Sequence, residues 1–294
     1  MAWIKDRGLM IRMYTTMFLL ALIYLAFIAF LSYIGLNFFL IMLIAGFMLY
    51  IQYYYSDKIV LWSTGARIVD EYEAPELYDI VRRLCHRANL PVPRIAVVDT
   101  QIPNAFATGR NPKNAVVAVT TGLLRTLNRD ELEAVIGHEL SHIKNRDVMV
   151  MTIASFIATV AFFIMRYAMF MGIFGERREG NALIAIAIFA ASLIVWIIST
   201  LLMLALSRYR EFCADMGSAI LTRNPKALIS ALAKISGRMD LIDDRYKKEV
   251  EGLNAFFIVP AISRGSIISL FSTHPPIEKR IEKLKEIARK MGYY

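Results

Sequence analysis

Between residues 13 and 56 the chain carries no charged side chain. One helical crossing of a bilayer needs about 20 apolar residues, so this run fits two helices, residues 14–33 and 38–55. Gly35 and Asn37 suit the tight turn between them. A hairpin of this kind returns both of its ends to one side of the membrane. Two further runs follow at 148–174 and 182–207, the second again without charge. Arg166, near the far end of the first of these, can snorkel to the interface. The loop between them carries the balanced set Glu176, Arg177, Arg178 and Glu179. The composition agrees: 57% hydrophobic against 20% charged residues is too apolar for an ordinary soluble protein. The expectation is an α+β, predominantly helical integral membrane protein with four transmembrane helices.

Charge sets the orientation. Lys5, Arg7, Arg12, Lys58, Lys144, Arg146, Arg208 and Arg210 flank the apolar runs on one side. The opposite side has an uncharged turn and the balanced loop. Lysine and arginine near membrane ends mark the cytoplasmic face, so both termini and the polar segments are expected there, in a multi-pass protein of the cell membrane. The net charge of +9 belongs to this bias; no nucleic-acid motif accompanies it, and no nucleic-acid partner is expected. The chain then divides into an N-terminal hairpin (1–56), a polar part (57–147), a second hairpin (148–207) and a C-terminal polar part (208–294). No cleavable signal peptide is evident, because the first apolar run lacks a small-residue cleavage site. Cys85 and Cys213 show neither Cys-x-x-Cys spacing nor a disulfide framework and read as reduced thiols.

Within the polar parts, Leu77, Ile80, Val81, Leu84 and Ala88 form one apolar stripe of a helix over 74–89, and His86 falls off it. Short β-like runs follow at 94–98, 105–109 and 115–120, separated by Gly, Pro and Asn. Asn128 with Glu131 is an N-cap and N3 pair opening a further helix. The last run continues past Ser207 with no helix breaker before Asn224 and Pro225. An amphipathic helix is expected after Pro225. A final one carries Ile277, Ile281, Leu284 and Ile287 on one face.

The chemistry concentrates in His138-Glu139-Leu140-Ser141-His142. On a helix, residues four apart share a face, so both imidazoles can grip one metal ion. Glu139 can then reach a metal-bound water as general base. A catalytic zinc takes three protein ligands and keeps one position open. His86 and His274 are not followed by the run that would make either a third histidine ligand. Glu211 is the candidate on topological grounds: the two histidines precede the third span, and Glu211 follows the fourth. At about 1.5 Å per residue, His142 lies roughly 9 Å before Val148 and Glu211 roughly 6 Å beyond Ser207. The alternative for Glu211 is an ion pair with Arg208 or Arg210. Asp215, one turn beyond Glu211, can accept from the second nitrogen of His138.

Together with Arg-Glu-Phe-Cys-Ala-Asp (210–215), Thr273-His274-Pro275-Pro276 with Arg280-Ile281, and Pro103-Asn104-Ala105-Phe106-Ala107-Thr108-Gly109, these motifs stand in one order along nearly the whole chain. The chain resembles the HtpX-like zinc metalloproteases, relatives of the prenyl-protein (CAAX) endopeptidase. The resemblance implies a gluzincin-like zinc metallopeptidase domain with one Zn2+ per chain, Glu211 as third ligand and Asp215 behind His138. It also implies quality-control proteolysis of misfolded or damaged membrane proteins at the cytoplasmic face. Asn104, Ala105 and Phe106 would belong to a strand that pairs with extended substrate, or else to an ordinary core strand. His274 would donate to the oxyanion, with Tyr209 and Arg210 as competitors, or else pack the helix start. Two other readings stay open: an enzyme specific for prenylated or signal-type peptides, and a non-catalytic scaffold with a closed structural metal site.

Overall fold

The computed structural model describes residues 7–33, 39–174, 179–240 and 274–293. In chain order the helices are α1 (Arg7–Tyr33), α2 (Phe39–Tyr54), α3 (Ser56–Thr64), α4 (Pro75–Ala88), α5 (Thr121–Thr126), α6 (Arg129–Asn145), α7 (Asp147–Phe174), α8 (Glu179–Thr222), α9 (Pro225–Asp240) and α10 (Ile277–Lys290). The strands are β1 (Arg67–Val69), β2 (Arg94–Val98), β3 (Ala105–Thr108) and β4 (Val116–Thr120). The expected turn at Gly35 and Asn37, and residues Glu176, Arg177 and Arg178 of the expected loop, lie outside the described residues. The chain separates into two compact units, one of Asp6–Gln52 with Val150–Leu206, the other built on Tyr53–Met149 with Ser207–Tyr294.

The first unit is helical and apolar on its outside as well as within. Phe27, Leu31, Ala45, Val160, Ala161, Ile164 and Ile188 form its core. Phe18, Leu25, Phe39, Phe47, Ile153, Leu183 and Ile186 are each more than 60% exposed. An outer surface of this kind suits lipid rather than water. Among the described residues, α1, α7 and α8 are long and apolar enough to cross a membrane, and α2 qualifies only as a pair with α3, from which it is bent by 67°. The second apolar helix, expected to end near residue 55, ends at Tyr54, and the backbone leaves the helical region at Tyr55 (φ −102°, ψ 15°). The first helix is already formed at Arg7, before residue 14, because Arg7, Leu9, Met10 and Arg12 favour helix and Gly8 falls in the first turn.

The second unit is a four-stranded sheet with helices packed on it. The strand order is β1-β2-β4-β3; β2 and β4 run parallel, and the other pairs antiparallel. Every residue of β4 is buried, as expected for the strand flanked on both sides. The stripe Leu77, Ile80, Val81, Leu84 and Ala88 of α4 packs into the main core, together with Leu132, Val135, Ile136 and Leu140 of α6 and Leu228, Leu232 and Ile235 of α9. Each such side chain contributes about 1.5–3 kcal/mol by leaving water. His86 is exposed, Cys85 is buried with its thiol pushed up to about 11 by that burial, and neither cysteine forms a disulfide. Gly109 closes β3 at φ +113°, where a Cβ would lie 2.3 Å from the Asn114 carbonyl oxygen, so only glycine fits.

Candidate metal centre

Helix α6 starts from a reciprocal cap. The Asn128 side chain accepts from the Glu131 N–H at 3.0 Å, and the Glu131 carboxylate accepts from the Asn128 N–H at 2.9 Å. Glu131 is held in turn by the Ser230 hydroxyl (2.6 Å) and the Lys234 ammonium (2.8 Å) of α9. With its start fixed and its apolar face buried, α6 presents His138 and His142 on one side. Their Nε2 atoms lie 3.1 Å apart, aimed at a common point. The helix ends at Arg146, whose left-handed backbone (φ 55°) turns the chain before α7 begins.

The third group arrives on α8, which runs unbroken through 44 residues, about 66 Å, from its apolar stretch past Glu211 to Thr222. Close approach of α8 to α6 depends on Gly137. A Cβ there would stand 3.2 Å from Ser218 Oγ and Thr222 Cγ2, while the Ser218 hydroxyl donates to the Ala134 carbonyl at 2.5 Å. Glu211 then meets both rings: Oε2 is 3.5 Å from His138 Nε2, and Oε1 is 3.5 Å from His142 Nε2. Ligands on a tetrahedral metal with bonds of about 2.0–2.1 Å stand about 3.3–3.4 Å apart. The observed spacings bracket that value, and two imidazoles with a carboxylate are a donor set suited to a divalent transition metal.

Each donor is itself held from behind. His138 Nδ1 lies 3.0 Å from Asp215 Oδ1. Arg280, 1% exposed, grips Asp215 with two hydrogen bonds of 2.9 and 2.6 Å and reaches Glu211 at 3.4 Å. The Nδ1 of His142 donates to Asp147 Oδ2 at 2.6 Å, and the other Asp147 oxygen pairs with Arg210. His274, also buried, places Nδ1 3.1 Å from Glu211 Oε2. Only His142 among the three donors has a side chain as much as 19% exposed.

These contacts set the protonation of the metal-free cluster. Burial pulls His138 down, but hydrogen bonding to Asp215 and Glu211 outweighs it and raises the ring to about 9. Burial, joined by repulsion from His138, depresses His142 to about 4. The two rings are thus pushed in opposite directions, His138 toward its charged form and His142 toward its neutral one. Burial also raises the Glu139 carboxyl above the ordinary carboxylate range, which suits a group that must accept and return a proton near neutrality.

The fold thus gathers His138, His142, Glu211, Asp215 and His274 into one cluster. Glu211 lies against His138, His142, His274 and Arg280, and Arg210 pairs with Asp147. The strand expected at residues 105–109 exists as β3, which holds Ala105 and Phe106, and Asn104 lies one residue before it. It is an edge strand hydrogen-bonded only to β4 among the described strands, and it packs along α6. All three side chains are buried. Sequence reasoning missed the support given by Asp147 and Arg280. Arg280 was visible only as part of a motif, because nothing in its spacing points across 65 residues to Asp215. Asp147 lies beyond the left-handed break at Arg146, where helical spacing no longer applies.

A buried His-His-carboxylate cluster with an adjacent glutamate, its carboxylate carried on a helix continuous with a run long and apolar enough to cross a membrane, is the arrangement of a membrane metallopeptidase. The chain belongs to peptidase family M48, which it matches over residues 71–288, and it is an HtpX-type metalloprotease of that family. It is 55% identical to a protease HtpX homolog of Methanosarcina mazei over 292 residues, 99% of each chain. It is 53% identical to one from Moorella thermoacetica over 291 residues, 98% of this chain and 97% of the relative. The crystal structure of S. mikatae Ste24p shares the fold, with a TM-score of 0.58 at 19% identity, covering 93% of this chain and 67% of that one.

Proposed function

We propose that the chain is a zinc endopeptidase that cleaves misfolded or damaged membrane proteins at the cytoplasmic face of the cell membrane. His138, His142 and Glu211 would hold one Zn2+, and the observation that carries this is the convergence of the two Nε2 atoms, 3.1 Å apart, with one Glu211 oxygen 3.5 Å from each ring. Bound zinc supplies Lewis acidity and brings the pKa of a coordinated water to near 7. Glu139, next to His138 on α6 and raised by burial, takes the proton of the attacking water and returns it to the leaving amine. Asp215 fixes the His138 ring through Nδ1, leaving Nε2 for the metal. His274 turns one ring nitrogen to Glu211, and we assign the opposite nitrogen to the oxyanion of the tetrahedral intermediate.

Substrate would arrive extended and pair with the backbone edge at Asn104, Ala105 and Phe106. The edge position of β3 and its packing along the helix that carries both histidines support this. The cytoplasmic placement rests on the Lys and Arg flanking the apolar runs.

The test is metal analysis of the purified protein beside cleavage of an unfolded membrane protein. One zinc per chain and activity lost to chelator, then restored by zinc, are expected. Glu139→Ala should keep the zinc and lose at least about 100-fold in rate; full activity in that variant would remove the general-base assignment. Chelator-insensitive cleavage would sink the zinc mechanism as a whole.

A further inference from the structure

Helix α3 has two faces, and the proposed chemistry uses neither. The inner face is fixed to the sheet. Val60 packs with Ala96, Val98 and Phe106, Leu61 joins that cluster, and buried Asp57 accepts from Arg94 of β2 at 2.5 Å. The outer face is therefore held in one direction, and it is apolar. Trp62 is 87% exposed, and Ile59, one turn earlier, is 44% exposed. Tyr55, at the N-cap a turn before that, is 42% exposed. Lys58 stands beside this stripe with its ammonium 5.4 Å from the Tyr55 ring centroid. A soluble surface gains nothing by presenting a tryptophan in this way.

Chain connectivity names the occupant. Helix α2 carries no charge and exposes Phe39, Leu40, Leu43 and Phe47, and the first charges after it are Asp57 and Lys58 of α3. A crossing that uses α2 reaches the lipid boundary where those charges begin. Trp62 lies only seven residues beyond Tyr55, so at helical rise it stays within about 11 Å of that end, and Thr64, the last residue of α3, within about 14 Å. At Tyr55 the chain bends by 67°, which turns α3 away from the direction of crossing. Aromatic rings that are apolar in body and polar at the tip, with a lysine whose stem lies along them, are the residues that settle at headgroup level.

We infer that α3 is an interfacial helix whose outer face, Tyr55, Ile59 and Trp62, sits in the headgroup and acyl boundary of the bilayer. There it docks the catalytic sheet on lipid. The inner face carries that anchorage into the sheet through Val60 and the Asp57–Arg94 pair. A second tie runs from the end of α2: the Tyr53 hydroxyl donates to the Arg110 carbonyl at 2.6 Å, and the Arg110 guanidinium donates to the Tyr54 carbonyl at 3.2 Å. Arg110 follows β3 by two residues, so the edge strand is held at a set height above the lipid.

The experiment uses the full chain in lipid nanodiscs with Trp62 as the sole tryptophan (Trp3→Phe, Trp196→Phe). Interfacial helices bury their apolar face about 5–10 Å into the boundary. Trp62 emission should therefore be blue-shifted, shielded from aqueous iodide, and quenched more by bromines placed near the glycerol than by bromines deep in the acyl chain. Red-shifted emission open to iodide and indifferent to brominated lipid would overturn the inference. So would shielding from both iodide and brominated lipid, because a second protein would then cover the face. If the double variant does not fold, the same readings come from the difference between the native protein and Trp62→Phe. None of these readings involves metal or cleavage, so the outcome is independent of the zinc assignment.

Discussion

At the scale of single residues the cluster behaves as a set of competing charges, and the competition yields two predictions. In the metal-free protein His138 is raised from its ordinary 6.5 to about 9 and His142 is depressed to about 4. A raised folded-state value contributes stability that is complete below pH 6.5 and is lost as pH rises through 9. The depressed histidine acts oppositely: its contribution is present above 6.5 and is lost as pH falls toward 4. Together they place the stability optimum of this pair near pH 6.5, measurable as the melting temperature of metal-free protein across pH 4 to 9. Because a protonated ring cannot ligate, metal uptake at pH 7 should release about one proton per chain. Calorimetry in two buffers of different ionisation enthalpy reads this directly, and no buffer dependence would contradict it. A third prediction concerns Arg280. Removing one partner of a buried ion pair costs about 3–5 kcal/mol, so Arg280→Met should destabilise the fold by that order in denaturant unfolding, and Glu211→Ala should lose the metal instead.

Elements show why two helices suffice to build the centre. Helix α6 carries the His-Glu-x-x-His run and α8 carries the carboxylate, and their close approach rests on a single missing side chain. A Cβ at Gly137 would already stand 3.2 Å from Ser218 and Thr222. Gly137→Val should therefore force α8 away and lose the metal even though no donor is altered, whereas a variant that bound zinc normally would show the contact to be slack. The cap of α6 is a milder lever. Asn128→Ala removes the acceptor for the Glu131 N–H and should cost about 1 kcal/mol in unfolding free energy. The elements legible in the sequence are those with a long period. The α4 stripe, the capping box at Asn128 and Glu131, and the unbroken run from the fourth apolar stretch to Thr222 all appear as expected. Strands β2, β3 and β4 are as short but were legible from the Gly, Pro and Asn between them; helices α3 and α5 and strand β1, of three to nine residues, are too short to establish a period of their own and escaped notice.

For the whole molecule, His138, His142 and Glu211 all fall in one compact unit although they are far apart along the chain. The metal would then add to the stability of the folded chain. A ligand present at 100 times its Kd stabilises by about 2.7 kcal/mol, so chelation should lower the melting temperature and zinc should restore it. An unchanged transition after verified metal removal would mean that the ion contributes nothing to the folded state.

The sequence alone determined what depends on neighbours along the chain. It marked the apolar runs, since charge is either present or absent over 20 residues. It placed the two histidines on one helical face, since four residues make about one turn. Only the tertiary structure decided what depends on distance through space. It brought Glu211 to the histidines across 69 residues, closed Arg280 on Asp215, and set Asp147 behind His142. No local periodicity encodes such meetings: they follow from how two helices pack, and packing is settled by the sum of many small contacts.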